Sequence, residues 1–216
     1  MAHFEDRIIK IQSDTSPSVT LKVIPGHFAT NHSHINYYID MSTLKTRQNE
    51  AAAVAKNFVK NYTNNITIDT IVCMDGCEVI GAYLADELVH AGVHSANKHN
   101  TIYIVSPEYK SNGEMIFRDN NQFMITNKNI LLLLASATTG KTIHRSLECI
   151  RYFRGRVQGI SSIFSAVNSV NDIPVHSIFQ SSDVPDYYTY PYTECPLCRE
   201  GTKLDALVNS YGYSRI

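Results

Sequence analysis

The sequence predicts an α/β domain in which a central parallel sheet is flanked by helices, and three observations lead there. Residues 130–134 read Ile-Leu-Leu-Leu-Leu, and a strand that is apolar on both faces must be covered on both, as at the centre of a parallel sheet. A turn of small and hydroxyl-bearing residues follows, with Ser136, Thr138, Thr139, Gly140 and Thr142. Ile143, Leu147 and Ile150 then recur at helical spacing through Arg154, with Arg145 on the polar face. Finally, strand and helix patterns alternate over residues 68–179, which implies right-handed crossovers and ligands at the carboxyl ends of the strands.

Taken in order, residues 7–12 and 19–23 predict two short strands joined by the turn-rich segment 13–18, a hairpin. Residues 26–41 contain His27, His32 and His34. With no carboxylate or cysteine nearby at ligand spacing, these are expected to be polar loop histidines. Ala51, Val54, Ala55, Phe58 and Val59 mark an amphipathic helix over 47–62, with Asn57, Asn61, Asn64 and Asn65 crowding its exit. Residues 68–74 form the next strand, followed by Asp75 and Gly76 and by a helix carrying Val79, Ile80, Tyr83, Leu84 and Leu88. Capping that helix is the commoner role for an aspartate so placed. A buried strand over 100–105 leads into the polar stretch 106–121, which has few apolar anchors and is expected to be mobile. Residues 157–164 and 173–179 read as two further strands. In the tail, Tyr187, Tyr188, Tyr190 and Tyr192 precede Cys195-Pro196-Leu197-Cys198, and Leu204, Leu207 and Val208 predict a last short amphipathic helix.

With 216 residues and 44% apolar content, the chain suits one domain spanning 1–216, large enough for a substantial core. A net charge of -1 with scattered Lys and Arg supplies no basic face for nucleic acid and no polybasic membrane anchor. Residues 1–12 lack an apolar core flanked by cations, and no run approaches bilayer length, so a soluble cytoplasmic protein is expected. Five cysteines, an odd number, argue against a secreted disulfide framework. Cys195 and Cys198 supply half of a tetrahedral zinc site, and Cys73 with Cys77 could in principle supply the rest, although these two sit at the turn after the 68–74 strand. Since only one pair has the spacing, reduced thiols and no metal are expected.

Chemistry concentrates after residue 134. Convergent backbone amides and the dipole of the following helix make the turn an anion pocket. As a nucleotide triphosphatase loop it has Gly140, Lys141 and Thr142 in place, but Ala135 stands at the first glycine. The strand over 157–164 also ends in Ser165 and Ala166 rather than in a magnesium-binding Asp. The segment instead resembles the phosphate loop of type I phosphoribosyltransferases, an aliphatic strand, two acidic residues and a Thr-Thr-Gly-x-Thr turn, through Leu131 to Leu134 and Thr138 to Thr142. In that resemblance Ala135 and Ser136 replace the acidic pair that meets the ribose hydroxyls.

The resemblance covers about Gly26 to Gly201 and implies the type I phosphoribosyltransferase fold with a small N-terminal hood from 1–45 and a C-terminal tail from 185–216. Phe28, residues 30–34, Tyr37, Tyr38 and Asp40 are similar to the orotate phosphoribosyltransferase segment that covers the base, with Asn31 at its lysine position; Phe28 and Asn31 are the implied base contacts. Ser136, Thr138, Thr139, Gly140, Lys141 and Thr142 would hold the 5-phosphate, and Asp75 and Gly76 the pyrophosphate with Mg2+. Lys110, Ser111, Asn112 and Gly113 echo a Lys-x-His-Gly loop, which makes Lys110 the implied catalytic cation on a flexible lid. Some orotate phosphoribosyltransferases share the Cys-Pro-x-Cys turn and a glycine, here Gly201. The implied activity is transfer of ribose 5-phosphate from phosphoribosyl pyrophosphate to a nitrogenous base, orotate by likeness, by a homodimer and with activity weakened at Ala135 and Ser136. A non-catalytic phosphoribosyl-ligand sensor or regulatory protein is the alternative.

Overall fold

A computed structural model describes residues 4–62, 66–91, 96–97, 101–111 and 114–216. In chain order the elements are β1 (Ile9–Gln12), β2 (Thr20–Ala29), β3 (His34–Asp40), α1 (Ser42–Thr46), α2 (Gln48–Phe58), β4 (Thr70–Cys73), α3 (Glu78–His90), β5 (Tyr103–Val105), β6 (Glu108–Tyr109), β7 (Met115–Ile116), β8 (Asn129–Ala137), α4 (Lys141–Tyr152), β9 (Arg156–Ser165), β10 (Ser169–Val170), β11 (Ile173–Gln180), β12 (Thr189–Tyr190), α5 (Pro196–Arg199), β13 (Ala206–Asn209) and β14 (Gly212–Arg215).

The central sheet runs β10-β11-β9-β8-β4-β5. Its five inner and far strands are parallel, and only the edge strand β10 is antiparallel. β8 lies in the middle, as its unbroken apolar run requires, with Ile130 to Ala135 fully buried. Leu131, Leu133 and Ala135 share one apolar cluster with Val54 and Phe58 of α2 and Ile80 and Leu84 of α3. Leu132 and Leu134 join Ile143, Leu147 and Ile150 of α4 in the other. Burying each such side chain contributes roughly 1.5–3 kcal/mol, so the helices are placed by the strand they cover.

A second sheet of six strands runs β12-β3-β2-β13-β14, with β1 also on β2. The hairpin read from residues 7–23 is present, Ile9 pairing with Val23 and Gln12 with Thr20. Phe4, Ile24, Phe28, Ile35, Tyr38, Ala206 and Val208 form its core, so both ends of the chain meet in one layer. Here the structure corrects the expected terminal helix: residues 206–209 and 212–215 are an antiparallel hairpin, and β13 pairs in parallel with β2. Leu204, Leu207 and Val208 satisfy a helical spacing, but Ala206 and Val208 are buried while Leu207 and Asn209 are exposed, the period of a strand. Burial against Phe28 decided between two patterns that fit equally.

Three further differences are local. The helix expected over 47–62 is preceded by the separate turn α1 and finishes as a 3-10 turn, Val59–Asn61. The stretch 106–121 carries the short β6–β7 hairpin and the start of a 3-10 turn, Asp119–Met124. The sequence signals at Asn64, Asn65, Asn100, Asn112 and Gly113 lie outside the described residues.

Tyr62 ties the end of α2's turn to the sheet. Its hydroxyl hydrogen-bonds Ser161 Oγ at 2.8 Å in a buried setting. Its ring occupies the space left by Gly159, where a Cβ would come within 2.4 Å of it. Tyr62→Phe is expected to lower stability by about 1–3 kcal/mol, because it strands the Ser161 hydroxyl without a partner; urea unfolding that gives the same free energy for both proteins would show no net contribution from this bond.

Candidate functional site

The carboxyl ends of β4 and β8 open into a concave cleft between the two sheets. One wall is the turn after β8: Ser136, Thr138, Thr139, Gly140, Lys141 and Thr142 all line it. β8 continues through Ala137, so Ser136 belongs to the end of the strand rather than to the turn. Gly140, at φ 71°, takes the left-handed conformation that ends the turn and starts α4. The first turn of α4 has no side-chain cap and no acidic residue. Its amides and the positive end of the helix dipole are left for an anion. Ser136 opens into the cleft, whereas Ala135 is 1% exposed and packs in the apolar cluster with Ile163 and Phe164.

The second wall is the turn after β4. Asp75 and Gly76 are both left-handed, at φ 59° and 77°, and this turns the aspartate into the cleft while Gly76 stays out of the lining. Asp75 does not cap α3: the residue before that helix is Cys77, with no side-chain cap bond. Its carboxyl lies instead against the backbone of Ala135 and the hydroxyl of Ser210. Burial pushes its pKa up, and the attraction of Lys45 only partly opposes this.

Lys45 is the residue that sequence reasoning missed. It is 8% exposed, and its Nζ donates to the carbonyls of Asp75 at 2.7 Å and Ser210 at 2.6 Å. Nothing in Ser-Thr-Leu-Lys-Thr marks a lysine for such a role; its place just after β3, between the two sheets, is the only signal. Ser210 was missed for the related reason that the tail was read as a helix.

Of the residues expected over the base, Asn31 lines the cleft with Thr30 and His32. Phe28 does not: it is fully buried, with its ring 5.8 Å from that of Phe4 and 6.0 Å from that of Tyr38. It is a core residue of the N-terminal sheet, and Tyr38, Phe164 and Tyr187 are the aromatic side chains among the residues that line the cleft. Lys110 does not line the cleft either. The β6–β7 hairpin, closed by Lys110 N–H donating to the Glu114 carbonyl, holds its ammonium 2.9 Å from the Glu114 carboxylate. It faces a separate depression beside Arg145 and Cys149 on α4.

A second cluster lies behind the N-terminal sheet. His27 Nε2 is 3.0 Å from His34 Nδ1, 3.5 Å from Cys195 Sγ and 3.6 Å from Cys198 Sγ, and Cys198 Sγ is 3.2 Å from His34 Nδ1. His32 lies in the loop between β2 and β3 as expected, whereas the strand positions of His27 and His34 correct the expectation of loop histidines and of no metal-ligating set. His27 and His34 sit on adjacent antiparallel strands, and the partners of the C-x-x-C pair are these histidines, not Cys73 and Cys77. Spacing along the chain does not reveal ligands 168 residues apart.

No protein-family model matches the sequence. Among solved structures, a phosphoribosyltransferase from Corynebacterium diphtheriae matches with a TM-score of 0.51 at 14% identity, covering 74% of this chain and 89% of that one. An orotate phosphoribosyltransferase from Mycobacterium tuberculosis H37Rv, solved in complex with Fe(III) dicitrate, gives 0.51 at 13% identity over 76% and 91%. An adenine phosphoribosyltransferase from Thermoanaerobacter pseudethanolicus gives 0.50 at 12% identity over 82% and 97%. No helix among the described residues is long and apolar enough to cross a membrane. What this chain shares with those proteins is its architecture: it has the type I phosphoribosyltransferase fold.

Proposed function

We propose that the cleft binds a ribose 5-phosphate group and that the protein transfers it from phosphoribosyl pyrophosphate to a nitrogenous base, with orotate as the base. The observation that carries this reading is the strand, turn and uncapped helix of 134–145, whose hydroxyls and amides face one small cavity. Thr138 to Thr142 would grip the phosphate. Asp75 would sit beside the pyrophosphate, and a carboxylate there fits Mg2+ arriving with the phosphates, since that ion is usually held by one or two carboxylates plus phosphate oxygens. Asn31, Tyr38 and Tyr187, on the side of the N-terminal sheet, would meet the base. Orotate rests on the likeness of residues 26–41 and of the Cys195–Cys198 turn with Gly201. Homodimer formation and a cytoplasmic setting belong to the same proposal.

The ribose is where this chain departs from the pattern it resembles. Ser136 can accept one hydrogen bond from a ribose hydroxyl, and Ala135 faces the core. Electrostatic support for a cationic ribosyl centre is therefore thin, and turnover is expected to be slow while the 5-phosphate still binds. Incubation with phosphoribosyl pyrophosphate, magnesium and a panel of bases, read as pyrophosphate release, tests the reaction; no release with any base would overturn it. Ser136→Asp is expected to tighten ribosyl-substrate binding by roughly 1.5–3 kcal/mol, as a charge-assisted bond does, and unchanged affinity would show that the ribose lies elsewhere.

Thr139→Ala removes a hydroxyl from the turn. A loss of about 1–2 kcal/mol in affinity for ribose 5-phosphate is expected by calorimetry, and equal binding by mutant and parent would count against the phosphate site.

Asp75 supplies a pH test. Its folded pKa lies above the ordinary 3.8 because of burial, so the folded state holds the proton more tightly than the unfolded one. Its favourable contribution is complete below pH 3.8 and is lost as pH rises through the folded pKa. Asp75→Asn should remove that component. The Tm difference between mutant and parent should therefore widen in the mutant's favour as pH rises from about 3 to about 7, and a flat difference would refute the assignment.

A further inference from the structure

We propose that His27, His34, Cys195 and Cys198 form a structural zinc site that fastens the C-terminal turn to the N-terminal sheet. The inference does not depend on what the cleft binds.

The geometry is that of a four-ligand set. With Zn–N near 2.05 Å and Zn–S near 2.3 Å, tetrahedral coordination separates two nitrogens by about 3.3 Å and a nitrogen from a sulfur by about 3.5 Å. The nitrogens here are 3.0 Å apart, and three of the nitrogen–sulfur separations, His27 to both sulfurs and His34 to Cys198, run from 3.2 to 3.6 Å. All four donor atoms lie within 4.8 Å of one another. Two sulfurs and two imidazole nitrogens in this arrangement select zinc over the hard cations magnesium and calcium.

The surrounding structure orients the ligands. His27 Nδ1 lies 2.9 Å from the carbonyl of Thr202, an acceptor, so Nδ1 carries the proton and donates it. Nε2 is then left with its lone pair aimed at His34 and the two sulfurs. A ligating histidine that donates its other N–H to a backbone carbonyl is the usual outer-shell arrangement of zinc sites. Thr202 belongs to the same turn as the cysteines: Arg199 N–H donates to the Cys195 carbonyl, Gly201 N–H to the Cys198 carbonyl and Thr202 N–H to the Leu197 carbonyl. Gly201, at φ 73°, closes that turn. Cys195 and His27 are each 1% exposed. One ion would join β2, β3 and the tail, and both thiols would give up their protons to solvent as it binds.

The test uses the full chain purified without added metal or chelator. Elemental analysis should find about one zinc per chain. After metal is stripped, titration with Co2+ should produce the visible bands of tetrahedral cobalt together with thiolate charge-transfer absorption, and zinc should bleach them. The Cys195→Ser, Cys198→Ser double variant should lose the zinc and melt at a lower temperature, whereas His34→Cys, which keeps four ligands, should retain zinc. A stripped wild-type chain that takes up neither zinc nor cobalt, a cobalt spectrum without thiolate absorption, or a double serine variant that holds as much zinc as the parent would each overturn the site. The cobalt spectrum is read on the wild-type chain, so the outcome does not rest on whether a variant folds.

Discussion

One buried ammonium joins the parts of this molecule that surround the cleft. Lys45 leaves α1, passes between the two sheets and donates to one carbonyl in the turn after β4 and one in the C-terminal hairpin. Desolvating a charge of this kind costs several kcal/mol. Two charge-assisted bonds of roughly 1.5–3 kcal/mol each, and attraction to the buried Asp75 carboxyl, offset that cost only while all three segments hold their places. The lysine therefore fixes the width of the cleft. It also keeps the backbone of Asp75 in a left-handed conformation that aspartate adopts only at some expense.

The charges around the cleft follow from this arrangement. On the β8 side stand the uncapped N-terminus of α4 and Lys141; on the β4 side, Asp75 is the carboxylate that lines the cavity among the described residues. Burial raises its pKa, and Lys45 beside it opposes that rise. The wall with the helix N-terminus and Lys141 is thus the one that favours an anion. Between the two walls β8 offers the hydroxyl of Ser136, since the alternation of the strand turns Ala135 into the core.

Much of this was legible in the chain. Residues 130–134 could only be a central strand, and the tight turn after it, with its glycine at the start of a helix, was readable from residue types alone. What was illegible shares one physical cause. Lys45, Ser210, His27 and His34 act through partners far away in sequence, and each looks ordinary in its own window. Phe28 was misread because an aromatic residue in a resembled motif says nothing about which face of its strand is covered; here that face meets Phe4, Ile35 and Val208. The polar stretch around Lys110 was expected to be mobile, whereas a short hairpin and an ion pair with Glu114 give it local structure.

The tail shows why the strand rather than the helix matters to the site. As a helix, residues 204–208 would have packed one apolar stripe and left the backbone carbonyls of the following residues pointing along its own axis. As β13 and β14, the same residues extend the N-terminal sheet beside β2, and the turn between the strands is exposed to the cleft. That turn presents the Ser210 carbonyl to Lys45 and places the Ser210 hydroxyl beside the Asp75 carboxyl. The hairpin thus completes the wall that the β4 turn begins. Its position depends on the segment before it, which crosses from Tyr187 on the cleft through β12 to the cysteine turn behind the sheet and back. The two ends of that crossing are held separately, Tyr187 by its ring 5.2 Å from that of Phe164 and Ser210 by Lys45, and the cysteine turn between them shortens the free chain that joins them.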